Sequence, residues 1–245
     1  MFCALDAGAG ECTARSGERT AALVELYTSE GCSSCPPADR WLSTLGGRRA
    51  GQVVPLSLHV DYWDYIGWKD PYAKAAFSRR QRKMSQLQRA AFVYTPQVLL
   101  QGRDFRAWGT PAYDDAVAAI NARPEGATIA LRIDSIGKDR IQAEVRAQAR
   151  GVVETDTALY VAAYENKLVS QVAAGENRGH TLAHDYVVLE WQGPFPVNGG
   201  GEVVQRQSLA LLPKAIPANS GVAAFVQNRR TAEVLQALML PACPG

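Results

Sequence analysis

Cys32-Ser33-Ser34-Cys35 sits between a short apolar run, Leu23-Val24-Glu25-Leu26-Tyr27, and a helix-prone stretch that opens on Pro36-Pro37. Two thiols separated by two residues at a helix start can close a small disulfide, and the helix N-terminus stabilises a thiolate on the first of them. The pattern constrains the fold strongly, because strand, cysteine pair and helix must follow one another directly. The same spacing supplies half of a structural zinc site, which needs about four ligands. The other cysteines, Cys3, Cys12 and Cys243, form no second pair of this kind, and of His59, His180 and His184 only the last two are four apart. Ligand count therefore favours redox chemistry over zinc, with two inert buried cysteines as the plainer alternative.

Downstream, Val93-Tyr94-Thr95-Pro96-Gln97-Val98-Leu99-Leu100 places a proline at the head of an apolar, β-prone run. Proline removes a ladder donor, so it fits the first residue of a strand, and an X-Pro bond there can be cis. Strand, cysteine pair, helix, strand, long helical insert and then Thr-Pro into a strand is an order that resembles the thioredoxin fold. The resemblance implies that Cys32 is the attacking thiol and Cys35 the resolving thiol. It also implies that Pro96, preceded by Thr95, is a cis-proline packed against the pair and bonding extended substrate. Longer strings, Val24 to Asp39 and His59 to Asp70, with Gly175-Glu176-Asn177 and His180 to Asp185, make the likeness more specific. They resemble a family of bacterial, mostly exported, thioredoxin-like proteins catalogued as a domain of unknown function, over nearly the whole chain.

At 245 residues the chain is long for one such domain, so two are expected. The expected fold is an α/β thioredoxin-like domain over residues 20–123, followed by a mainly antiparallel, sandwich-like β domain over residues 127–240. Arg123-Pro124-Glu125-Gly126 would link them. The first would hold strands at Leu23 to Tyr27, Val53 to Val60 and Val98 to Leu100, with Pro55 at an edge or bend. Its helices would cover Pro36 to Leu45, Asp70 to Ala91 and Tyr113 to Asn121. The second shows β-prone runs starting at Thr128, Arg140, Ala158, Tyr186, Glu202 and Val222, and a closing helix over Thr231 to Leu240.

A net charge of +2 argues against a nucleic-acid or membrane field, and no apolar stretch approaches the ~20 residues of a membrane helix. Residues 1–19 carry Asp6 and Glu11 and lack the basic start and apolar run of a secretory signal. The resembled family is exported, which implies a trimmed, mature chain in the periplasm or outside the cell. Cys12, in a leader, and Cys243, in a Pro/Gly tail, would pin both termini as a disulfide in an oxidising compartment, leaving Cys3 over.

His59 and Asp61 close the strand after the cysteine helix, at the sheet edge where ligands gather in open α/β folds. Either one passes a proton when Cys35 attacks a mixed disulfide, or both brace the aromatic segment that follows. Tyr62, Trp63, Tyr65, Trp68 and Tyr72 either floor a groove for an apolar peptide or cover the core. Arg79, Arg80, Arg82, Lys83 and Arg89 read as a solvated face. His180 and His184 would share a face on a helix and, with Glu176 or Asp185, bind a metal. Gly175 and Gly179 argue instead for a loop that docks on the first domain or makes a polar turn. The expected activity is thiol–disulfide exchange with protein thiols or disulfides, with no cofactor or metal and no nucleic acid. Two alternatives stay open: a binding module whose Cys32–Cys35 disulfide is structural, and a copper- or zinc-handling site of Cys32, Cys35 and His59.

Overall fold

The computed structural model describes residues 12–48, 51–151 and 156–243; Cys3 lies outside them. In chain order the first elements are β1 (Thr13–Arg15), β2 (Ala22–Thr28), α1 (Pro36–Ser43), α2 (Leu45–Arg48) and β3 (Val53–His59). A 3-10 turn (Asp61–Ile66) leads to α3 (Ala75–Leu87), β4 (Gln97–Leu100), β5 (Arg103–Asp104) and α4 (Pro111–Asn121). The second half adds β6 (Ala127–Ile136), β7 (Arg140–Ala149), β8 (Thr157–Glu165), β9 (Leu168–Gln171) and β10 (Thr181–His184). It closes with β11 (Val187–Pro196), β12 (Glu202–Ala210), β13 (Ser220–Asn228) and β14 (Val234–Pro241).

These strands overturn the expected fold class. Strand makes up 44% and helix 19%, and the molecule is mainly β rather than α/β thioredoxin-like followed by a separate sandwich. One mixed eight-stranded sheet runs β14-β13-β8-β11-β3-β2-β4-β5, through both halves of the sequence. The seam is β3, whose far edge takes β11 in parallel at Val187↔Ser57, with the Ser57 N–H donating to the Tyr186 carbonyl at 2.8 Å. Pro55, two residues before Ser57, presents its missing donor on that same side, where no strand has yet arrived. The edge that would have bounded a separate first domain is instead used for pairing, since an unpaired buried edge strands its backbone polar groups.

Paired residues share a face, so Leu26, Ser57 and Val187 lie on one side of this sheet. On that side α1 and α4 cover Ala22, Val24, Leu26 and Val98, while the sheet β1-β6-β7-β12 covers Val161, Ala163, Val222 and Ala224. The opposite side packs Leu23, Tyr27, Leu58, Ala162 and Phe225 with Phe77 and Met84 of α3. The short hairpin β9–β10 stands apart from both sheets.

Two boundaries also differ from expectation. The helix assigned to Asp70 to Ala91 begins only at Ala75, because Pro71 and a turn that bonds the Tyr72 N–H to the Asp70 carboxylate and the Ala73 N–H to the Asp70 carbonyl come first. Where a helix over Thr231 to Leu240 is expected, Val234–Pro241 forms strand β14. Its Leu, Ala, Gln and Met are good helix formers, but the open edge of β13 accepts Leu240, Leu238 and Gln236 opposite Val222, Ala224 and Val226. Tertiary pairing overrides local propensity there. A disulfide joins Cys12 to Cys243, with Cα atoms 5.6 Å apart, tying the start of β1 to the end of β14.

Candidate functional site

Cys32 and Cys35 are joined as a disulfide at the mouth of α1, their Cα atoms 5.4 Å apart. Cys35 caps the helix, its carbonyl accepting from the amides of Ala38 and Asp39, with prolines at the first helical positions where a missing N–H costs nothing. Ser33 and Ser34 are exposed, yet Cys32 is 1% and Cys35 0% exposed. The polar neighbour of Cys32 Sγ is Ser34 Oγ at 3.4 Å.

The cover comes from the connection between β9 and β10. The Asn177 amide donates to the carbonyls of Glu30 at 2.8 Å and Cys32 at 3.0 Å. The Glu176 carboxylate accepts the Ser33 N–H at 2.9 Å, and hydrogen bonding from the Ser33 side chain, then from its backbone, holds its pKa below the usual glutamate range. Gly175 turns the chain at φ +74°, and a Cβ there would sit 3.1 Å from Ile66 Cδ1, so only glycine brings the loop down this close. Of the two expectations for this loop, docking or a polar turn, the contacts with Glu30, Cys32 and Ser33 are those of docking. His180 is exposed and His184 buried, so the two do not converge on a metal.

Beneath the loop lies a buried polar cluster. Asp70 Oδ2 accepts the Glu30 N–H at 2.9 Å and faces His59 Nδ1 at 2.7 Å. Burial works against a charged His59, but the Asp70 charge and hydrogen bond, helped by Asp39 and Glu30, outweigh it and raise the pKa. Burial pushes Asp70 the other way, and His59 with the Glu30 and Tyr72 amides brings it below the usual aspartate value. Both shifts favour the ionic form of the pair. Glu30 accepts the Trp68 indole N–H at 2.8 Å and faces His184 Nε2 at 3.2 Å, and the His59 and His184 rings meet edge-on at 4.8 Å. Asp39, on α1, lies 3.8 Å from His184 Nδ1, and burial raises its pKa despite the pull of His184 and His59.

Thr95-Pro96 is cis, and Thr95 Oγ1 accepts the Trp63 indole N–H at 2.8 Å. Asp61 does not join the cluster; its carboxylate takes the Ser78 hydroxyl of α3. Among the described residues no group of three or more His, Cys, Asp or Glu side chains is arranged to hold a metal ion. Both sulfurs are in a disulfide, so the copper or zinc alternative requires the reduced pair, and His59 Nδ1 is engaged by Asp70.

A family model described as "Protein of unknown function (DUF1223)" matches residues 23–227, taking in the cysteine pair, the aromatic segment and the covering loop. The chain belongs to this family. A crystal structure of protein AGR_C_4864 from Agrobacterium tumefaciens is 25% identical, with a TM-score of 0.69, over 94% of this chain and 98% of that one. HBP35 of Porphyromonas gingivalis, 15% identical over 92% of this chain and 76% of its own, also reaches a TM-score of 0.69, a likeness of fold. No curated protein matches the chain.

In this DUF1223 chain Glu30, Asp39 and Asp70 take part in the site without having been expected there, as do Glu176 and Asn177 in their clamping role. Glu30 and Asp70 are buried carboxylates in loops, a pattern that carries a signal only once their partners are known. The aromatic segment divides: Trp63, Trp68, Tyr62 and Tyr72 are engaged in packing and hydrogen bonds, whereas Tyr65 is 82% exposed. Arg80 leaves the expected solvated face. It is buried and ion-paired through Nε to Glu25 at 2.7 Å. Among the described residues no helix is long and apolar enough to cross a membrane.

Proposed function

We propose that Cys32–Cys35 is a redox couple that exchanges disulfides with protein thiols in an oxidising compartment of the bacterial envelope. One observation carries this reading: the pair caps the N-terminus of α1 beside two exposed serines, under a cover that is a polar loop rather than hydrocarbon. Lifting residues 175–177 exposes Cys32 without opening the core. A substrate thiolate then attacks Cys32 Sγ, forming an intermolecular S–S bond and releasing Cys35 as a thiolate. A second substrate thiol, deprotonated, displaces Cys32, so the substrate leaves as a disulfide and the pair holds both electrons. The helix N-terminus stabilises the Cys32 thiolate so formed. Thr95 and cis-Pro96 would align the extended substrate. Of the buried acids, Asp39 lies one turn along α1 from Cys35 and fits proton exchange better than His59 or Asp61, whose side chains are held by Asp70 and Ser78.

A second reading, a structural disulfide in a binding module, is favoured by the 1% exposure of Cys32. The two separate on native-state reduction. Under glutathione or dithiothreitol, followed by thiol labelling and near-ultraviolet circular dichroism, a redox couple reduces while the fold persists; without reductant, the lone Cys32 thiolate of Cys35→Ser attacks a peptide disulfide and keeps one half as a mixed disulfide while the other half leaves as a thiol. Reduction that occurs only together with unfolding, with no trapped adduct, rejects the redox reading in favour of the structural one.

A further inference from the structure

We propose that the cleft between α3 and the aromatic part of β8 and β11 binds a small amphipathic anion, an apolar body carrying one carboxylate, phosphate or sulfonate group. The cleft lies on the sheet face opposite α1, so it is separate from the cysteine pair. Its volume is about 710 Å³, within the range of small-molecule sites.

The floor is apolar, made by Tyr160 and Trp191, with ring centroids 5.6 Å apart, and by Met84 and Leu87. The rim is basic: Arg79 and Lys83 on α3 face Arg229 in the turn after β13, and among the described lining residues the carboxylate is Asp156, 3.5 Å from Arg229 and 3.6 Å from Arg230. Arg80 is committed elsewhere. Its guanidinium forks onto Glu25 at 2.7 and 2.8 Å and lies 4.6 Å from the centre of the Trp191 ring, which fixes the floor without neutralising the rim. A surplus of cations around an apolar recess concentrates field there and selects an anion with an apolar body.

The far wall is built for close approach. The register of β11 shifts between Gln192 and Phe195, throwing out Gly193-Pro194, and Gly193 adopts φ +112° with its missing Cβ 2.8 Å from the Leu159 carbonyl. Any other residue would push this wall off the sheet. The chain's net charge of +2 and the confinement of the cations to one rim favour a small anion over a nucleic acid.

The test is fluorescence titration of the intact protein with 8-anilinonaphthalene-1-sulfonate and with N-phenyl-1-naphthylamine, the same rings without the sulfonate. Saturable binding of the sulfonate at one site is expected, with the uncharged probe at least about tenfold weaker. The exposed pair Arg79→Glu/Lys83→Glu should weaken the sulfonate about tenfold or more. Arg229→Glu repeats the measurement from the opposite rim should the double variant fail to fold by circular dichroism. Equal affinity for the two probes, equal binding by wild type and rim variants, no saturable binding, or displacement by a DNA duplex at lower concentration than by a fatty acid would each overturn the proposal.

Discussion

The Asn177 side-chain amide reaches across 145 residues of sequence to donate to the carbonyl of Cys32 at 3.0 Å, and it bonds the Glu30 carbonyl at the same time. One buried amide thus holds the second half of the chain down on the cysteine pair.

Replacing Asn177 with Ala strands the buried Glu30 carbonyl and leaves the Cys32 carbonyl with the Cys35 N–H at 3.1 Å, and an unsatisfied group costs about 1–3 kcal/mol. Asn177→Ala should lower stability by about 1–3 kcal/mol in urea denaturation. Native-state reduction of Cys32–Cys35 should accelerate by more than this global loss accounts for. An unchanged reduction rate would show that the loop does not control access.

Cys12–Cys243 closes a loop spanning 231 positions. Loops of that length restrict the unfolded chain strongly, so Cys12→Ser/Cys243→Ser should cost about 2–5 kcal/mol in denaturation without reductant. Its reducible pair would then be Cys32–Cys35 alone, and the trapping experiment should give the same adduct.

Glu25 is 0% exposed in the middle of β2, where it accepts the Tyr27 hydroxyl and the guanidinium of Arg80. Arg80→Met leaves that carboxylate buried and uncompensated, at a cost of about 3–5 kcal/mol. The double variant Glu25→Leu/Arg80→Met removes both charges and should lose less than Arg80→Met alone. A chemical denaturation cycle over the four proteins checks this ordering.

The His59–Asp70 pair sets a pH window. The His59 pKa is raised above its ordinary 6.5, so its contribution is whole below that value and fades as pH rises through the folded pKa. The Asp70 pKa is lowered below its ordinary 3.8, so its contribution is whole above that value and fades as pH falls through the folded pKa. The stability difference between wild type and Asp70→Asn should therefore be greatest between about pH 4 and 6.5 and shrink on both sides. Unfolding curves from pH 3 to 9 measure it. A difference that grows steadily toward alkaline pH would contradict the pairing.

Local chemistry made much of the first half legible. The fully buried run of β2, the prolines opening α1 and the proline at the head of β4 each follow from what a residue does to its own backbone. The Cys12–Cys243 bond and the membership of the chain in its family were likewise readable. The buried face of α3 was not, because it joins Phe77 and Met84 to Ser78, Gln81 and Ser85. Gln81 bonds Gln97 at 2.9 Å and the Tyr94 carbonyl at 2.8 Å, so polar residues occupy core positions that a hydrophobic period passes over. Arg80 was indistinguishable from its basic neighbours for the same reason: its burial depends on a carboxylate 55 positions earlier.

What the sequence determined by itself was mostly local: the buried run of β2, the helix that Pro36-Pro37 opens with a disulfide at its cap, and the proline that leads β4, with the Cys12–Cys243 bond as the long-range exception. Only the tertiary structure decided that β11 joins β3 and β14 joins β13, which runs one mixed sheet through strands from both halves of the sequence. It also decided that Asn177 closes over Cys32. Strand edges and buried polar groups are satisfied by whichever distant partner completes their hydrogen bonds, and that partner is fixed by the geometry of the whole chain rather than by neighbours in sequence.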